Sequence, residues 1–177
     1  MSENTSKPAR KFNIELLLGL SATFLSLAAL IVSIFQTKIA REQQHASVWP
    51  YLQIASSNRV GNYRFGIENN GVGPAIVKKV EWQHKTKTYE SSREFIWEQI
   101  GRDKKGIGFG AIAPESVLKP GDNFELIGIY QNDSLARQLM HKVESDFFNL
   151  RVIYSDIYGN CWQLDQGKTR QLTDCSK

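Results

Sequence analysis

Residues 62–83 read NYRFGIENNGVGPAIVKKVEWQ, and this stretch decides the fold. Over 62–68 the side chains alternate, with Tyr63, Phe65 and Ile67 on one side and Arg64, Gly66 and Glu68 on the other. A period of two marks a strand with one face in a core. Asn69-Asn70-Gly71-Val72-Gly73-Pro74 follows as a dense turn signal. Asn and Gly accept backbone conformations that other residues avoid, and Pro cannot donate to a sheet. A second strand is predicted over 75–83. Its phase slips at Lys78-Lys79, where one extra residue makes a β-bulge.

Outward from this unit the chain stays β-rich. Further strands are predicted over 51–55, 107–113, 123–130, 149–155 and 161–164. Asp156-Ile157-Tyr158-Gly159-Asn160 joins the last two as a hairpin, with Gly159 suited to positive φ and Asp156 to bonding backbone amides. Two short helices interrupt the strands. Ser91 and Glu94 have capping-box spacing ahead of Phe95, Ile96, Trp97 and Ile100. Asp133 or Ser134 can cap the second helix, whose Leu135, Leu139 and Val143 recur at i, i+4 and i+8.

Upstream the solvent changes. Residues 16–35, LLLGLSATFLSLAALIVSIF, contain no charge in twenty positions. At about 1.5 Å per residue they measure about 30 Å, the hydrocarbon thickness of a bilayer. A helix pairs every backbone amide internally, so it is the single-segment way across. The run exceeds the apolar core of a signal peptide and no A-x-A site follows it, so a retained anchor is expected. Residues 36–47, QTKIAREQQHAS, continue the helix as a stalk until Pro50 forces an end near 46–48. The expected organisation is therefore a short basic tail at 1–13, a transmembrane helix and stalk at 14–47 (span 16–35), and a β domain at 48–177.

Composition bounds the rest. The chain has 177 residues, 11% aromatics and two cysteines, which excludes wholesale disorder and a disulfide-dense miniprotein. The net charge of +4 divides into +1 for residues 1–15, +1 for 36–45 and +2 beyond, so no basic domain exists and nucleic acid is not an expected partner. Lys7, Arg10 and Lys11 precede the span while Lys38 and Arg41 follow it, which favours a cytoplasmic N-terminus and an exported domain. In an oxidising compartment Cys161 and Cys175 can pair, whereas in the cytosol both stay reduced. Within the span, Gly19, Ala22, Ser26, Ala29 and Ser33 are spaced 3, 4, 3, 4 and share one stripe. Such a stripe permits close helix–helix approach, in a homo-oligomer or against a partner helix, although small residues are common in membrane helices.

The turn chemistry carries a resemblance. Asn69-Asn70-Gly71 with Ala75, Leu118-Lys119-Pro120-Gly121 before a strand, and Tyr154-Ser155-Asp156 with Gly159 are similar to bacterial immunoglobulin-like domains of the CARDB and fibronectin type. QQHASVWPYLQI (43–54) after an apolar helix, with ENNGVGPAIVKKVEW (68–82), resembles a family of uncharacterised single-pass bacterial membrane proteins. The resemblance implies a mainly β, immunoglobulin-like sandwich with two inserted helices, behind one transmembrane helix and stalk in a bacterial inner membrane. It implies no activity.

Motifs for chemistry are sparse. His45, His84 and His141 lie far apart with no metal-ligand spacing. Gly106-Ile107-Gly108-Phe109-Gly110 superficially resembles a phosphate loop but lacks its Lys-Ser/Thr and following helix, and flexible strand edge is the simpler reading. Glu90, Glu94 and Glu98 share a helix face, with Arg93 and Arg102 near enough in sequence to offset them. Arg102-Asp103-Lys104-Lys105 reads as a solvated loop. No catalytic, cofactor or metal residue is expected. The leading expectation is a non-enzymatic interaction or accessory module, with the lipid bilayer and a protein or second copy as partners. A ligand-binding sensor is the alternative, and an enzyme comes third.

Overall fold

A computed structural model describes residues 13–102, 104–145 and 148–176. Most of the expected tail at 1–13 lies outside them. The chain divides into two compact units, 1–44 and 45–177.

The first unit is formed by helix α1 (Ile14–Ala46), 33 residues with no buried side chain. Its first turn is anchored by the Asn13 carbonyl, which accepts from the Leu16 and Leu17 amides. The Ser21 and Thr23 hydroxyls fold back onto the Leu18 and Gly19 carbonyls at 2.9 and 2.8 Å, satisfying polar groups within an apolar surface. The helix is long and apolar enough to cross a membrane. It ends at Ala46, where the following Pro50 makes continuation unfavourable.

The second unit is two packed antiparallel sheets with two inserted helices, so the chain as a whole mixes helix and strand. In the first sheet β1 (Leu52–Arg59) pairs with β2 (Asn62–Asn69), which pairs with a strand at Asn123–Ile129, itself beside one at Ile107–Phe109. The second sheet holds β3 (Ala75–His84), with β4 (Lys87–Tyr89) at its edge. Between β4 and β5 (Ile107–Phe109) lies α2 (Ser92–Ile100), and β6 (Val117–Leu118) precedes β7 (Asn123–Ile129). After α3 (Asp133–Glu144) come β8 (Asn149–Ser155), β9 (Cys161–Asp165) and β10 (Lys168–Leu172). The orders are β1-β2-β7-β5 and β10-β9-β8-β3-β4, with β6 pairing β3.

Strand alternation builds the core. Tyr63, Phe65 and Ile67 point inward from β2, as their period requires. In β3 the register against β8 shifts between Val77 and Lys79, so the expected bulge is present. It returns Trp82 to the interior, keeps Lys78 and Lys79 outside, and frees the Val77 amide and carbonyl to bond Ser116 and Glu115 at 2.8 Å. Trp82 then stacks on Phe95 of α2 at 5.4 Å and meets Phe65 of the opposite sheet at 5.7 Å and Phe148 at 5.5 Å. Leu135, Ala136 and Leu139 bury one face of α3 against β2.

Local expectations needed correction at four places. The strand expected over 107–113 stops at Phe109, although the Gly110 amide still donates to the Leu126 carbonyl at 3.0 Å. Asn132, not Asp133 or Ser134, caps α3, its Oδ1 accepting from the Leu135 amide at 3.1 Å. Asp133 instead pairs with Arg137 one turn on. Ser91 occupies the cap position of α2 but makes no side-chain cap bond, so the capping box is not formed. The short strands β4, β6 and β10 lie outside the expected set, since runs of two to five residues carry too little pattern to register.

The turn after β2 holds one end of the domain. Asn69 is fully buried and uses its whole amide: Oδ1 accepts from the Tyr51 and Gly71 amides, and Nδ2 donates to the Gly73 and Leu118 carbonyls at 2.8 and 3.0 Å. Gly73 must be glycine here, because a Cβ would stand 1.7 Å from the Val48 carbonyl oxygen. The Leu118–Gly121 turn closes on the same residue, the Gly121 amide donating to the Asn69 carbonyl at 2.8 Å.

Candidate functional site

The two cysteines lie where the last strands end. Cys161 opens β9 and is buried, and its Cα stands 5.4 Å from that of Cys175, with a disulfide joining them. The bond ties the segment after β10 back to the start of β9. Just upstream, buried Asp156 accepts from the Tyr158 and Asn160 amides and the Asn160 side chain at 2.8, 2.9 and 2.8 Å. Three donors on one carboxylate explain how the charge is tolerated at that depth. Asp156 is therefore a turn residue, as its position predicts.

The other sequence candidates separate. Gly19, Ala22, Ser26, Ala29 and Ser33 follow one stripe along α1, with open space around Gly19. Among the described residues no group of three His, Cys, Asp or Glu side chains is placed to hold a metal. The Gly106–Gly110 segment forms β5 and its flanks. The Gly106 carbonyl accepts from the Tyr130 amide at 2.7 Å and the Gly110 amide donates to Leu126, so these glycines allow close strand approach.

Among the described residues Arg93 and Arg102 form no ion pair with Glu94 or Glu98, contrary to expectation, and Glu90 lies ahead of α2 and not on its face. Glu98 instead bonds the Lys87 ammonium and the Tyr89 hydroxyl, and that pair of donors, Lys87 foremost, holds its carboxyl below the usual range. The same hydrogen bond raises the Lys87 ammonium above its ordinary value.

Arg93 and Arg102 go elsewhere. Arg93 and Trp97 are one helical turn apart on the face of α2 opposite Phe95 and Ile96, which are anchored in the core. The Arg93 guanidinium lies 5.7 Å from the Trp97 ring centre and 5.6 Å from that of Phe109 on β5. Arg102 reaches the same indole at 5.6 Å, after Gly101 turns the chain with φ near 107° while its amide closes the helix on the Trp97 carbonyl. Phe109 meets Trp97 edge-on at 6.4 Å. Trp97 remains 37% exposed, so an indole and two guanidiniums share an open surface. The spacing of Arg93 and Trp97 is a readable signal, but Arg102 and Phe109 join them only through the fold.

A second surface lies on the outer side of the first sheet. A cleft of about 910 Å³ is lined there by Ser57, Arg59, Arg64, Gly66, Glu68 and Glu125, among others. Arg64 Nε stands 3.4 Å from Glu125. Glu125 also accepts from the Tyr130 hydroxyl, and this bond raises the phenol above its ordinary pKa. The two cations and two carboxylates among these residues leave the lining balanced in charge.

A sequence family described as a domain of unknown function (DUF8453) matches residues 15–170. The chain belongs to this family. The DUF8453 match takes in the apolar helix from its second residue and the two-sheet unit as far as β10. It stops at residue 170, before Cys175. No curated protein and no solved structure matches the chain. The DUF8453 assignment brings a structural unit and no activity.

Proposed function

We propose that this chain is a single-pass protein of the bacterial inner membrane whose immunoglobulin-like domain faces the exported side and works by binding a protein partner, not by catalysis. The Cys161–Cys175 disulfide is the observation that carries the placement, since such bonds persist in oxidising compartments and not in a reducing cytosol. The three-to-two excess of cations ahead of the span supports the same orientation. Strand order supports the immunoglobulin-like reading. The orders β1-β2-β7-β5 and β9-β8-β3-β4 follow the A-B-E-D and G-F-C-C′ arrangement, with β10 added beyond the last strand and a helix inserted in each of two connections. Buried Trp82 on the third strand fits that pattern too. The exposed Trp–Arg surface supports partner binding, because those residue types dominate interface energetics.

Thiol labelling in intact cells tests the placement. Cys175 is expected to resist an impermeant maleimide until an impermeant reductant is added, and to label fully afterwards. Labelling by a permeant reagent alone, with no reductant, rejects the exported side. Reduction is also expected to cost about 3 kcal/mol of domain stability for a loop of this length, read by denaturation with and without reductant.

The stripe of small residues is, in this reading, the face on which α1 meets a second helix. Gly19→Ile with Ala22→Ile is expected to lower the signal of a membrane self-association reporter several-fold. An unchanged signal removes α1 as the association element. A second reading, a small-ligand sensor, is favoured by the 910 Å³ cleft. Its balanced lining suits a neutral, polar ligand.

A further inference from the structure

We infer that the Arg93–Trp97–Arg102 surface is a docking site for an acidic segment of a partner protein, and this rests on the reading of the domain as a partner-binding module. Three observations converge. First, the arginines are held but not used. Each guanidinium is fixed against an aromatic ring, Arg93 against two, and among the described residues neither forms an ion pair with a carboxylate. Glu98, the carboxylate of α2 with charged company, is occupied by Lys87 and Tyr89. An arginine packed on an aromatic keeps its fork of donors free for a carboxylate while much of its rotamer entropy is already lost, which is preorganisation.

Second, cations outnumber carboxylates in the loop that Arg102 opens. Lys104 and Lys105 follow it and are exposed, against the one carboxylate of Asp103 in that sequence. Cations so grouped favour an anionic partner and speed its approach. Third, the surface is open. The cleft beside the start of α2, about 440 Å³, is lined by Trp82, Ser92, Gly110 and Ile112 among others, and neither it nor the larger cleft takes in Arg93, Trp97 or Arg102. Small ligands bind where walls enclose most of their surface. A helix face with an exposed indole and two arginines instead has the composition of a protein–protein hot spot. The expected ligand is a stretch with two or more Asp or Glu around an apolar side chain, the carboxylates taking the two forks and the apolar group lying on the indole.

The test uses the full chain in nanodiscs of neutral lipid, with a fluorescent peptide of Glu residues around a central Leu as the probe. A Gln-for-Glu peptide, inorganic phosphate and anionic phospholipid vesicles form the comparison arms. Saturable binding of the Glu peptide is expected, weakening with salt, with no binding of the Gln peptide. Arg93→Ala with Arg102→Ala, and separately Trp97→Ala, should each weaken it by about tenfold or more, as hot-spot truncations do. Lys168→Ala on β10 should leave it unchanged, and far-UV circular dichroism should show every variant folded. Absence of binding, or binding that the arginine and Trp97 variants do not weaken, overturns the proposal. Vesicle or phosphate binding through the same arginines with no peptide binding reassigns the surface to phosphate groups and overturns it equally. Failure here leaves the thiol-labelling result untouched, whereas a cytosolic labelling result removes the exported module even if the peptide binds.

Discussion

Trp82→Ala is expected to destabilise the two-sheet unit by about 3–5 kcal/mol, lowering its thermal midpoint by roughly 10 °C or more. Trp82 is 1% exposed and is the common neighbour of Phe65, Phe95 and Phe148, which come from a strand, a helix and the segment before β8. Removing the indole deletes its burial and leaves a void that three rings on different elements cannot jointly fill. Trp82→Phe keeps a ring for Phe95 to stack on and should cost less than half as much. Urea denaturation of the full chain in detergent, followed by near-ultraviolet circular dichroism, reads both. A loss under about 1 kcal/mol for the alanine variant contradicts the packing described, because truncations at such a site fall well above it.

Asn69→Ala should cost about 3 kcal/mol or more, from hydrogen bonds and not from volume. It strands two part-buried amides, of Tyr51 and Gly71, and two buried carbonyls, of Gly73 and Leu118. Asn69→Asp separates this account from a simple packing role. Aspartate keeps the shape and the two accepted bonds, but it turns a carboxylate oxygen towards two carbonyls that need a donor. It should therefore be as damaging as alanine near neutral pH and recover partly at acidic pH, where a protonated carboxyl donates to one of them. Equal stability of Asn69→Asp and the parent at neutral pH refutes the assignment. The measurement is the same denaturation, run at neutral and acidic pH.

Local pattern made much of this legible. Alternation at Tyr63, Phe65 and Ile67 located β2 and its buried face, and the slipped phase at Lys78-Lys79 located the bulge that returns Trp82 to the core. Asp156 and Gly159 were readable as turn chemistry because both roles depend on bonds made within a few residues. Misreadings came where a local rule had a competitor. Ser91 had cap spacing without making the bond, and Asn132, one residue ahead of the expected caps, made it at α3. The strands at β4, β6 and β10 exist because neighbours pair with them, a reason absent from their own residues.

The candidate surface divides the same way. Arg93 and Trp97 are neighbours by helix geometry, and spacing suffices to join them. Arg102 was expected to answer the glutamates, yet it lies on the indole because Gly101 ends the helix and redirects the chain. Phe109 comes from a strand beyond the loop, and no spacing announces it.

The sequence by itself determined the twenty uncharged residues suited to lipid, the β-rich domain behind them, the turns, and the absence of a basic domain. Each follows from composition or from periodicity within one segment, where the physics is short-ranged in the chain. Only the tertiary structure decided that Cys161 and Cys175 meet, that Asn69 holds three separate segments with one amide, and that two arginines share an indole without an ion pair to a carboxylate among the described residues. Those outcomes depend on groups distant in sequence being brought within bonding range by burial of a common core, and pairing of that kind leaves no local pattern to read.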